Sequence, residues 1–120
     1  MVWEQYQRAN VSYESGDPAE AARLLERVMT AEPGNASARL LLALAYFRSA
    51  QLGRAETELR ALVERYPSDH YAHHVLGRTL ERLGRPADAL PHLRLAAAMS
   101  PRDEYVDALR RVEAKTGRGR

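Results

Sequence analysis

The stretch LGRTLERLGRPADALPHLRLAAAMSP, Leu76 to Pro101, decides the fold, because its small and apolar residues recur upstream at a fixed interval of 34 residues. Pro101 repeats Pro67 and Pro33, Ala89 repeats Ala55 and Ala21, and Leu93 repeats Leu59 and Leu25. Gly77 repeats Ala43 and Ala9 as a small residue. Four ladders in phase do not arise by accident, so the chain is read as three copies of one unit plus a leftover segment.

Outward from that stretch, helix signals alternate with short breakers, and no segment shows the period-two alternation of a half-buried strand. An all-α fold of seven helices is expected. In the breaker SGDP, Asp17 is placed to cap a helix, Pro18 suits its first position, and Glu20 falls three residues after the cap. That helix runs to about Ala31 and ends at EPGN, with Gly34 available for a left-handed turn and Asn35 as the next cap. The segment Ala36 to Ser49 is apolar almost all round, the pattern of a helix with neighbours on several sides. Its partner, Leu52 to Tyr66, keeps Ala55, Leu59, Leu62 and Val63 on one stripe. A further helix starts after Ser68 or Asp69, breaks at LGRP, and resumes from Pro86. Pro91 lies inside this resumed helix, lacks an amide donor and crowds the carbonyl of Ala87, which predicts a bend or a loosened first turn. Ser100 is read as the cap of a last helix from Pro101 to about Lys115, with Tyr105, Val106, Leu109 and Val112 on one side.

A period of 34 with Leu-Gly, then a small residue, then a large apolar residue four further on, then Pro, resembles the tetratricopeptide repeat. With each proline at repeat position 32, the repeats are residues 2–35, 36–69 and 70–103, followed by a solvating helix over 101–115 and a mobile tail over 116–120. The third repeat carries Leu76-Gly77, Ala89, Leu93 and Pro101, with His73 and Leu80 where the family has an aromatic and a Tyr. The first repeat departs most, with Gln5, Arg8 and Ser12 at positions that are usually core. The resemblance implies a right-handed α-solenoid of antiparallel helix pairs, in one domain over 1–115.

The resemblance also places function on the face of the first helix of each pair, at repeat positions spaced by three and four. Those positions hold Trp3, Tyr6, Asn10 and Tyr13, then Leu40, Leu44, Phe47 and Arg48, then Tyr71, His74, Arg78 and Arg82, with Tyr105 added by the last helix. Six of the chain's eight aromatic residues fall on this face. Aromatics at two of these positions also serve inter-helix packing in the family, which accounts for Tyr6, Tyr13 and Phe47 without a ligand. Trp3, Leu40, Leu44 and Tyr71 add apolar area beyond that, as interaction sites do. The expected function is a scaffold whose aromatic groove takes a partner helix or an extended peptide, and its rival is a homodimer through the same face.

Other classes find little support. Co-chaperone repeats grip a C-terminal carboxylate with basic and Asn side chains at positions that here are Tyr6, Asn10, Leu41, Tyr71 and Val75, and only Asn10 matches. His70, His73 and His74 share one helix, but no carboxylate converges with them, so no metal and no cofactor are expected. The chain has no Cys, no Gly-rich phosphate loop and no catalytic constellation, so no enzyme is expected. Basic residues exceed acidic ones by 18 to 16, and the excess lies after Pro101, where Arg102, Arg110, Arg111, Lys115, Arg118 and Arg120 face Asp103, Glu104, Asp107 and Glu113. That Arg-rich end leaves nucleic acid as a remote reading only, since phosphate binding calls for a clustered basic surface. No apolar run reaches signal-peptide or membrane-span length, and a cytoplasmic protein is the expectation.

Overall fold

The computed structural model describes residues 2–117. It contains seven α-helices: α1 (Val2–Glu14), α2 (Pro18–Ala31), α3 (Ala36–Arg48), α4 (Leu52–Arg65), α5 (His70–Arg82), α6 (Pro86–Met99) and α7 (Asp103–Thr116). There is no strand among the described residues. Three helices start on the side chains that the sequence marks as caps. Asp17 accepts from the Glu20 amide at 3.1 Å, Asn35 from the Ala38 amide at 3.0 Å, and Asp69 from the Ala72 amide at 3.0 Å.

The turns that close α1, α3 and α5 share one device. Gly16, Ala50 and Gly84, again 34 residues apart, adopt φ of 90°, 61° and 76°. In each, the following amide reaches back to a helix carbonyl: Asp17 to Ser12 at 2.8 Å, Gln51 to Tyr46 at 2.8 Å, and Arg85 to Leu80 at 2.9 Å. Among the described residues the left-handed ones are these three, and Gly34, the sequence's candidate, is not among them. Ala50 does the work of a glycine while carrying a Cβ.

The chain divides into two compact units, one up to Glu58 and the other from Leu59. In the first, α2 packs against both α1 and α3. The core is built from small and branched residues that let the helices approach: Ala9, Ala21, Leu24, Leu25, Val28, Leu42 and Ala43 are buried. The Tyr46 hydroxyl donates to Glu26 at 2.5 Å, and burial together with that carboxylate pushes its phenol well above the ordinary range. Gln5, Arg8 and Ser12, the poorly fitting positions of the first repeat, border an open cleft of about 620 Å³ with Glu20 and Leu24, a wet setting that suits polar side chains.

In the second unit, α6 packs against α5 and α7. Gly77 sits where α5 meets α6, and a Cβ there would lie 2.4 Å from Cδ2 and 2.5 Å from Cγ of the buried Leu93. Pro91 does not interrupt α6, and the first turn stays closed, with the Ala89 amide donating to Arg85 at 3.1 Å. The expected loosening is absent because Ala87, whose carbonyl loses its donor, is exposed, so water can satisfy it. The last helix starts two residues later than read, at Asp103: Ser100 ends α6, its amide donating to Ala96, and Arg102 takes the cap position of α7. Of the segment expected as a mobile tail, Thr116 belongs to α7, and residues 118–120 lie outside the described residues.

Candidate functional site

In the first unit, α1 and α3 present one surface together. At the start of α1 the Trp3 and Tyr6 rings stack, 15° from parallel with centroids 6.2 Å apart, and Trp3 is 62% exposed. Two turns further along, the Arg48 guanidinium of α3 lies 5.0 Å from the centre of the Tyr13 ring. Between these ends Asn10 is half-buried and its amide donates to the Tyr6 carbonyl at 3.4 Å. On α3, Leu40, Leu44 and Phe47 are half-buried and Arg48 is exposed. All eight candidates of the first two repeats thus keep some accessible surface.

The second unit treats the equivalent positions differently. Tyr71 is half-buried, while Arg78 and Arg82 are exposed. Tyr105, expected on the groove, is fully buried, and His74 is only 3% exposed; both leave the candidate surface. The reason is α7. Its Tyr105 ring stacks on His74 with centroids 4.3 Å apart, and its hydroxyl hydrogen-bonds His70 Nδ1 at 2.9 Å. Farther along the same two helices, Glu81 receives Arg111 at 2.7 and 2.8 Å and Lys115 at 2.8 Å. The hydrogen bond from Arg111 is the main reason that the Glu81 carboxyl is held down to about 2. Part of the face of α5 read as groove, at His74, is therefore the seat of α7, while Arg78 and Arg82 stay exposed.

The histidines of α5 go to three different environments. His70 pairs with Tyr105. His73 donates through Nε2 to the Pro67 carbonyl at 2.8 Å, which leaves its Nδ1 to accept from His92 Nδ1 at 3.1 Å. His74 Nδ1 is buried with no hydrogen-bond partner, and burial, assisted by Arg78, lowers its pKa to about 4. Burial also lowers that of His92.

The sequence reading missed Glu32 and Asn35, which meet Val2, Trp3, Tyr6 and Ser37 in a cleft of about 340 Å³. Their signal was position: the loop that ends the first repeat returns beside the start of that repeat's own first helix, α1.

A family model described as tetratricopeptide repeat matches residues 12–79, and a second of the same description matches residues 70–94. No curated protein matches the chain. Among solved structures, the first TPR of Spaghetti (RPAP3) bound to the HSP90 peptide SRMEEVD is 21% identical, with a TM-score of 0.89, over 97% of this chain and 93% of that one. MamA from Desulfovibrio magneticus RS-1 is 19% identical, with a TM-score of 0.92, over 98% of this chain and 67% of that one. The second TPR domain of human RPAP3, in complex with the HSP70 peptide SGPTIEEVD, is 19% identical, with a TM-score of 0.84, over 94% of this chain and 98% of that one. At these identities the likeness speaks for the fold, an all-α solenoid of helix pairs, and not for a ligand. With one family model spanning more than half of its length and the fold agreeing along nearly all of it, the chain belongs to the tetratricopeptide repeat family.

Proposed function

We propose that the chain is a protein-interaction module without catalytic role, which holds a partner's helix or extended peptide on the surface built by α1 and α3. The observation that carries this reading is the 62% exposed Trp3 ring stacked on Tyr6, at one end of a surface that continues through Leu40, Leu44 and Phe47 to the Tyr13–Arg48 pair. Accessible Trp and Tyr with an Arg beside them are the composition of binding hot spots, and the half-buried leucines add apolar area that a wet surface would not carry. The peptide-bound relatives of the same fold add support for a peptide as the kind of partner. Their acidic peptides are not carried over, because this chain holds Tyr6, Leu41, Tyr71 and Val75 where co-chaperone repeats hold polar and basic side chains.

The test compares two double variants for partners captured from a native lysate and for molar mass in solution. Trp3→Ala/Leu44→Ala removes apolar area from the proposed surface, and Arg23→Ala/Arg60→Ala alters exposed residues of α2 and α4. Loss of partners from the first variant alone is expected. If the wild type is a dimer that the first variant converts to monomers, the surface serves self-association. Capture unchanged in the first variant and lost in the second would overturn the assignment.

A further inference from the structure

The cleft at the start of α1 corresponds, residue for residue, to a filled position in the second unit. There, Tyr105 of α7 hydrogen-bonds His70 and stacks on His74 of α5. Sixty-eight residues earlier, two repeat lengths, the same three positions are Ser37, Val2 and Tyr6, and all three line the 340 Å³ cleft. A serine stands where the second unit has a phenol, so one face of the cleft lacks the ring that would close it. What lines the cleft instead is the Trp3–Tyr6 stack together with the carboxylate of Glu32.

That carboxylate is held for use. Asn35 accepts from the Ala38 amide with its oxygen and donates to Glu32 Oε1 at 3.0 Å with its nitrogen, so the helix cap also orients Glu32. The neighbouring cation, Arg39, is committed elsewhere: one terminal nitrogen bonds Glu58 at 2.5 Å and the other the Pro33 carbonyl at 3.0 Å. The first helix, α1, also displays what its aromatic face accepts. Tyr13 carries the Arg48 guanidinium above its ring, whereas Tyr6, two turns before it, has Trp3 as its ring partner.

We propose that this cleft is a subsite for a cationic side chain, an arginine of an extended partner segment, with its guanidinium stacked on the Trp3–Tyr6 pair and forked onto Glu32. The proposal rests on the reading of α1 and α3 as the partner-binding surface and adds the charge of the residue taken at one end of it. Arginine fits better than lysine, because a planar guanidinium stacks on an aromatic face and bonds a carboxylate with two parallel donors, which a point-like ammonium does not.

Trp3 is the chain's one tryptophan, so its emission reports this cleft alone. The probe is the peptide acetyl-Gly-Gly-Arg-Gly-Gly-amide, titrated against the same peptide carrying citrulline, the neutral isostere of arginine, and against one carrying lysine. The arginine peptide is expected to change Trp3 emission saturably, the lysine peptide to bind more weakly, and the citrulline peptide to bind at least about fivefold more weakly, the scale of one cation–π contact with its ion pair. Glu32→Gln, whose side-chain oxygen still accepts the Asn35 bond, should weaken the arginine peptide part of the way towards the citrulline level, since the stacking on the rings remains, with an unchanged far-UV spectrum. Equal affinity for arginine and citrulline, an arginine affinity untouched by Glu32→Gln, or no saturable change at peptide concentrations of tens of millimolar each overturns the subsite. None of these results bears on partner capture by the wider surface, which the Trp3→Ala/Leu44→Ala comparison judges separately.

Discussion

Gly77→Ala is the sharpest test of how closely α5 and α6 approach. The added Cβ would lie 2.4 Å from Leu93 Cδ2 and 2.5 Å from Leu93 Cγ, against roughly 3.5 to 4 Å for carbon atoms in ordinary contact. Leu93 cannot simply swing away: it is fully buried, and its Cγ is tied close to the backbone of α6. The helices must part or the rotamer must change, and overpacking of this kind costs about 1 to 3 kcal/mol. Alanine returns roughly 0.8 to 1 kcal/mol through its better helix propensity. With two atoms overlapping by more than an ångström the upper part of the range applies, and a net loss of about 1 to 2 kcal/mol is expected in urea denaturation followed by far-UV circular dichroism. A double-mutant cycle isolates the contact. Leu93→Ala alone should cost about 2 to 5 kcal/mol, and at least about 1 kcal/mol less in the Gly77→Ala background, where it removes the atoms that collide. A gain of about 1 kcal/mol on Gly77→Ala, the bare propensity effect, or a cycle without coupling would refute the close approach.

Ala50→Gly relieves a left-handed residue with φ of 61° and should stabilise the chain by about 0.5 to 1 kcal/mol, the steric relief exceeding glycine's larger unfolded-state freedom; a lower melting temperature would contradict it. Leu59→Ala, at a fully buried ladder position, should cost about 2 to 5 kcal/mol, and a loss under about 0.5 kcal/mol would mean that the repeat register is wrong. Pro91→Ala restores a donor to the Ala87 carbonyl in a helix that is already unbroken, so about 1 to 3 kcal/mol of stabilisation is expected, and an unchanged melting temperature would show that the proline costs α6 nothing. His74→Phe keeps a ring against Tyr105 and deletes a buried nitrogen without a partner, so it should stabilise the chain at pH 7 by about 1 kcal/mol. Because the folded-state pKa of His74 is lowered from 6.5 to about 4, the unfolded chain binds the extra proton first, and wild-type stability should fall as pH drops from about 6.5 towards 4. In His74→Phe that slope should shrink, and a slope as steep as in the wild type would place the acid sensitivity elsewhere.

The helix pairs were legible because close packing restricts a few positions severely. Ala21, Ala55 and Ala89 and, four residues on, Leu25, Leu59 and Leu93 are all fully buried, so a ladder of sequence identities traced a ladder of contacts. Caps were legible for a related reason, since Asp17, Asn35 and Asp69 satisfy amides within three residues of themselves. What stayed hidden depends on a neighbour. Helical spacing puts His74 on a definite face of α5 but does not say that α7 covers it, and it gives Tyr105 an apolar stripe without saying how deep that stripe goes. Ala50 was hidden by its own identity: glycine advertises a left-handed turn at Gly16 and Gly84, while alanine held there by the helices it joins advertises nothing. Glu32 was hidden because an exposed loop carboxylate acquires meaning only through the Asn35 bond and the rings that line the same cleft.

The two units therefore use the same repeat positions for opposite ends. On α5 two positions of that face are spent on stability: His74 is stacked, and along the same contact with α7 Glu81 is held by Arg111 and Lys115. On α1 the corresponding positions, Tyr6 and Tyr13, meet a helix that offers Ser37 at one end and Arg48 at the other, so the surface keeps an open aromatic cleft at one end and a cation on a ring at the other. All three equivalent positions differ between the filled site and the open one, and serine against tyrosine at the second position of the following repeat changes the filling most, because a tyrosine ring brings roughly 150 to 250 Å² of buried surface and a serine almost none. It follows that Ser37→Tyr should do to the first unit what Tyr105 does to the second, covering Tyr6 and closing the cleft. Trp3 emission would then stop responding to the arginine peptide, while thermal stability would hold or rise. A Ser37→Tyr chain that still answers the peptide as the wild type does would show that Tyr6 is not part of the cation's seat.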